Sequence, residues 1–146
     1  MTLVNVFIRI YAYAMLWMTL YKQNASLFGN IDLNHLTYVS DTRFFHNNIK
    51  TINLIPAVMY STDAHNHGYD ECILHRGKDR VTECAHSNVS ILKNGVFITA
   101  PCDEYILPGI ARKHLLEACT ALNIPYEEKI YSLKDLLDAD EVIVSS

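Results

Sequence analysis

A chain of 146 residues, half of them apolar and 19% charged, can bury one core of its own and is too apolar to stay disordered. Twelve basic against sixteen acidic residues leave a net charge of −4 with no basic block, which argues against nucleic acid as the main partner. Five glycines, four prolines and no internal repeat exclude collagen-like, linker-like and solenoid sequence. Small acidic metabolites remain compatible, because one local cationic site outweighs a weak global field.

Leu3 to Tyr21 is a mostly apolar run interrupted by Asn5 and Arg9. It lacks the leading positive charge and the small-residue cleavage site of a secretory signal. A membrane span would bury Arg9 at a cost of about 2–3 kcal/mol, so a buried strand or helix, or sequence inherited from a damaged gene start, is the preferred reading. The four cysteines, Cys72, Cys84, Cys102 and Cys119, form no CxxC pair. They read as reduced thiols of a cytoplasmic protein.

Downstream of Asn30 the texture is α/β. His35 to Val39 alternates like a strand. Asn53 to His67 predicts a helix with Leu54, Ala57, Val58 and Ala64 on its apolar face, Pro56 in its first turn and Gly68 as its stop. Glu71 to His75 reads as a buried strand, followed by a turn at Gly77 to Arg80. Asn88 to Leu92 and Val96 to Thr99 form two strands around Asn94-Gly95, the strongest hairpin signal in the chain. Ile110 to Leu122 carries Leu115, Leu116, Cys119 and Leu122 at helical spacing, with Pro125 beyond its end. Tyr126 to Tyr131 reads as a short strand. Ser132 and Asp135 form a capping-box pattern for a brief helix through Leu136 and Leu137. Glu141 to Ser145 is a last strand, and a chain that stops on a core strand is expected to be incomplete.

Common signatures are missing: there is no GxGxxG, Walker A or GxSxG pattern. His65 and His67 fall on different faces of a helix, and His75, His86 and the cysteines add no ligand spacing, so no metal site is expected. Three strings are more pointed. In "NNIKTINLIPAV", Lys50 is either a solvated end residue or, facing a dry cleft, an amine available for a Schiff base. In "RVTECAHSNVSIL", Glu83 sits either in a plain turn or as a carboxylate aimed into a site. In "YILPGIARKHLL", Pro108-Gly109 leaves the amides of Ile110 and Ala111 at a positive helix end that suits a phosphate.

Together these strings resemble the class IV, fold-type-IV pyridoxal-phosphate aminotransferases. The matching residues, in order and spacing, are Lys50 with Asn53; Val81, Thr82, Glu83, Ser87 and Asn88; Asn94, Gly95 and Thr99; and Ile106, Leu107, Gly109, Ile110 and Arg112. Within the family the chain looks most like D-amino-acid transaminases, through the three-residue gap from Lys50 to Asn53, the "ECILHRG" hairpin and the "ADEVIVSS" ending. The resemblance implies a mixed α/β fold, the large domain of the D-amino-acid aminotransferase-like fold, incomplete. Residues 31–146 are that partial domain and residues 1–30 an unassigned apolar segment.

The resemblance further implies pyridoxal 5'-phosphate as cofactor, anchored covalently on Lys50, which also shuttles a proton. Glu83 would pair with the pyridine nitrogen. His86, Ser87, Leu107, the backbone of Ile110 and Ala111, and Ser146 would line the cofactor. Ala111 replaces a threonine common in relatives, and His86 a smaller serine. Amino-acid and 2-oxo-acid substrates and a homodimer follow, with D-alanine as the type donor. The chain alone is expected to hold cofactor weakly and to turn over little. The alternatives are a truncated inactive remnant or a non-catalytic cofactor- or partner-binding domain and, within enzymes, an aminodeoxychorismate lyase or a branched-chain aminotransferase.

Overall fold

The structure, a computed structural model, describes residues 36–146, so the Leu3 to Tyr21 run and His35 lie outside the described residues. Strand β1 (Leu36–Ser40) is followed by helix α1 (Ile55–Asn66), then β2 (Glu71–Arg76), β3 (Arg80–Cys84), β4 (Asn88–Lys93) and β5 (Val96–Thr99). Helix α2 (Ile110–Ala121), β6 (Tyr126–Glu128), α3 (Leu133–Leu137) and β7 (Glu141–Ser145) complete the order. One sheet runs β1-β2-β3 and the other β6-β5-β4-β7. The β1–β2 pair is parallel, which requires a crossover, and α1 supplies it. The remaining neighbours are antiparallel apart from the parallel β5–β6 pair.

Strands β2 and β4 are buried on both faces, so Cys72, Ile73 and Leu74, and Ile91 and Leu92, run consecutively rather than alternating with polar residues. Ile73 of β2 joins Val89 and Ile91 of β4 in a cluster that takes side chains from both sheets. Its neighbours Cys72 and Leu74 point the other way, toward Ala64 of α1. Leu92 and Phe97 pack with Leu115 and Cys119 of α2, on the far side of the second sheet. No helix among the described residues is long and apolar enough to cross a membrane.

Local chemistry sets the boundaries. Asn94 and Gly95 both have positive φ, 51° and 78°, as a two-residue type I′ hairpin requires. The capping box forms in full: Ser132 Oγ accepts from the Asp135 amide, and the Asp135 carboxylate accepts from the Ser132 amide. Two expectations need correction. Of the apolar face predicted for α1, Ala64 is buried as expected, but Leu54 and Val58 are more than half exposed, because the helix packs through Ala64 and Tyr60 near its C-terminal half. The strand predicted for Tyr126 to Tyr131 ends at Glu128, since Tyr131 turns inward and its hydroxyl donates to the Val89 carbonyl at 3.1 Å.

Candidate active site

Glu83 is a strand residue, not a turn residue, and its side chain is only 6% exposed. A carboxylate buried that deeply must be hydrogen-bonded or neutralised. Its Oε1 accepts from Arg43 Nη1 at 2.8 Å, and its Oε2 accepts from Asn88 Nδ2 at 3.1 Å and the Leu107 amide at 3.0 Å. Burial pushes Glu83 above the usual glutamate range, while Arg43 and the Leu107 amide pull against it.

Arg43 is held in turn by Asp41, whose side chain is fully buried. Arg43 Nε and Nη2 donate to the two Asp41 oxygens, both at 3.0 Å, and Thr82 Oγ1 donates to Oδ2 at 3.1 Å. Burial works against the Asp41 anion, yet the Arg43 contacts prevail and hold its carboxyl below the ordinary aspartate range. The same loop is pinned to the segment before α2. The Asn47 amide donates to the Glu104 carbonyl at 2.8 Å, and Phe45 meets Tyr105 edge-on with ring centres 5.2 Å apart.

Asn88 connects Glu83 to the head of α2. Its Nδ2 also donates to the Leu107 carbonyl at 2.9 Å, which accepts from the Gly109 amide at 2.8 Å. Gly109, the N-cap of α2, lies so close that a Cβ there would sit 2.1 Å from Asn88 Oδ1. No side chain caps this helix. Ser145 faces Asn88 across β4–β7, and its hydroxyl, like that of Ser90, is buried with no hydrogen-bond partner among the described residues. Arg112 anchors the first turn of α2 by donating to Thr99 Oγ1 at 3.3 Å and the Ala100 carbonyl at 2.8 Å.

The structure therefore gathers Glu83, Leu107 and the head of α2, where Ile110 is 75% exposed and Ala111 half-buried. Ser87 is buried but spends its hydroxyl on Glu71 Oε2 at 2.6 Å. His86 stands exposed beside that same carboxylate, with Nδ1 3.5 Å from Oε2. Ser146 is exposed at the end of β7. Lys50 is exposed on the loop between β1 and α1, so the described residues do not enclose it in a dry cleft.

Sequence reasoning overlooked Asp41, Arg43 and Glu71. The first two carried a usable signal: opposite charges two residues apart in extended chain share a face. Glu71 carried none, because a glutamate opening a strand ordinarily faces water.

Known structures share this arrangement of two sheets and helices. The branched-chain amino acid aminotransferase from Escherichia coli superposes with a TM-score of 0.68 at 30% identity, over 76% of this chain and 39% of that one. A branched-chain amino acid aminotransferase from Thermobaculum terrenum, solved in its PLP form, gives 0.70 at 25% identity, over 86% and 40%. The fold is thus that of the fold-type-IV aminotransferases. In sequence, a D-alanine aminotransferase of Listeria monocytogenes is 42% identical over 106 residues, which is 73% of this chain and 36% of that protein. The chain spans little more than a third of the length of that relative. Residues 14–146 match the amino-transferase class IV family, and the chain belongs to it. That match opens inside the 1–30 segment which the motifs alone left unassigned.

Proposed function

We propose that this chain forms the cofactor-holding part of a pyridoxal-phosphate-dependent aminotransferase that takes the amino group of a D-amino acid of the D-alanine type to a 2-oxo acid. The observation that carries this reading is Glu83, a buried carboxylate fixed by three donors. Its Oε1 accepts one bond and keeps a lone pair for a further N–H, which suits a protonated ring nitrogen. The uncapped head of α2 and the Ser145 hydroxyl, which lacks a partner among the described residues, suit a phosphate at the other end. When bound, pyridoxal phosphate supplies the ring that withdraws electrons from the substrate carbon. Glu83 would hold the proton on that ring, the amides of Ile110 and Ala111 would bind the phosphate, and Lys50 Nζ would anchor the group and carry the substrate proton.

The choice of D-alanine rests on likeness to the Listeria protein. The Escherichia coli structure supports a branched-chain donor instead. Because turnover by this chain alone is expected to be low, a single half-reaction is the suitable test. With saturating pyridoxal phosphate, D-alanine is expected to yield pyruvate above the Lys50→Ala blank. Deamination of L-leucine but not D-alanine would favour the branched-chain reading, and neither above the blank would refute the activity.

Self-association is proposed on the same footing. Phe44, Phe45, Ile49, Ile52, Leu54, Ile55, Val58 and Met59 are all exposed between β1 and the first turns of α1, with Ile52 at 99%. Such a concentration of apolar surface supports an interface between copies of the chain. Sedimentation equilibrium is expected to show a dimer at micromolar concentration; a monomer at the highest soluble concentration would contradict it.

A further inference from the structure

We propose that Arg43 is a positioning residue that holds Glu83 in one orientation, as an anion, toward the cofactor's ring nitrogen. This rests on the cofactor reading above. A lone arginine against a glutamate would be an ordinary ion pair, with its charge spent on its partner. Here the guanidinium is divided: Nε and Nη2 form a two-pronged contact with Asp41, and only Nη1 reaches Glu83. The fork is planar, so fixing two prongs on Asp41 fixes the direction of the third. Asp41 is itself fixed by Thr82 Oγ1 and the Arg43 amide, and Arg76 Nη2 donates to the Arg43 carbonyl at 2.7 Å.

Charge balance follows from the same contacts. Arg76 Nε also stands 3.6 Å from Asp41 Oδ2, so two guanidiniums balance the two carboxylates, while Glu83 itself meets only Arg43 and keeps a lone pair on Oε1 for a further N–H. The other groups bonded to Glu83, Asn88 and the Leu107 amide, are neutral donors that orient Oε2 without consuming charge. Burial alone drives a carboxyl toward its protonated form, which could no longer hold a proton on a ring nitrogen. Arg43 opposes that drift from 2.8 Å away. Lysine could supply the charge but not the divided fork.

The test follows the Glu83 carboxyl by carbon-13 NMR in the chain without cofactor, and the ring nitrogen by nitrogen-15 NMR with labelled pyridoxal phosphate. Arg43→Gln is expected to raise the Glu83 midpoint by about one to three units, and Arg43→Lys by less. In the loaded protein at neutral pH, the ring nitrogen is expected to be protonated, and to move toward its unprotonated frequency in Arg43→Gln and Glu83→Gln. Arg43→Lys should fall between; it carries the test if Arg43→Gln does not fold. An unmoved Glu83 midpoint would overturn the proposal while leaving the cofactor reading intact. A moved midpoint with a ring nitrogen indifferent to both Arg43→Gln and Glu83→Gln would overturn the cofactor reading and the positioning role with it.

Discussion

Gly109→Ala is expected to destabilise the fold by about 2–4 kcal/mol, a large part of the 5–15 kcal/mol typical of a whole domain. The backbone is not the cause, since Gly109 sits at φ −66°, ψ 143°, a conformation open to any residue. The cause is the added methyl, placed 2.1 Å from Asn88 Oδ1 and 3.3 Å from its Cγ. Asn88 must swing away and lose its bonds to Glu83 and the Leu107 carbonyl, leaving a buried carboxylate oxygen with one donor fewer. A double-mutant cycle separates this from any general intolerance at the helix start. Once Asn88→Ala has cleared the space, adding Gly109→Ala should cost little, giving a coupling of about 1–3 kcal/mol in urea denaturation. Strictly additive costs would contradict the contact.

The apolar periodicities of Leu115 with Cys119 and of the β4–β5 hairpin predicted elements that the structure forms, because packing at those positions obeys local rules. Leu54 and Val58 broke the same rule: their helical spacing with Ala64 is real, but α1 packs on the sheet through Ala64 and Tyr60, and periodicity does not reveal where along a helix the contact stops. The site divides in the same way. Glu83 stood out through its motif, yet its partners lie on three other segments: the loop after β1, the start of β4 and the stretch before α2. Such contacts depend on the sheets being assembled. Asp41 and Arg43 would have been legible had the spacing of opposite charges at the end of β1 been given weight. Ser87, expected to line the cofactor, donates its hydroxyl to Glu71, whose burial no local pattern announced.

The role of Lys50 carries the largest expected effect. The chain has seven lysines, and any accessible amine can condense with an aldehyde, so covalent attachment by itself says little. What should single out Lys50 is a cofactor held at its other end. Glu83 and the head of α2 would fix the ring and the phosphate, raising the effective concentration of the aldehyde at one amine only. Lys50→Ala is therefore expected to abolish the preferential attachment and leave the fold unchanged, because the side chain is exposed. The most direct measurement is borohydride reduction of the protein with one equivalent of pyridoxal phosphate, followed by peptide mass spectrometry. The reduced adduct is expected on Lys50 in preference to the other six lysines, and is expected to disappear in Lys50→Ala. An adduct spread over the lysines, or concentrated on Lys22 or Lys113, would contradict it.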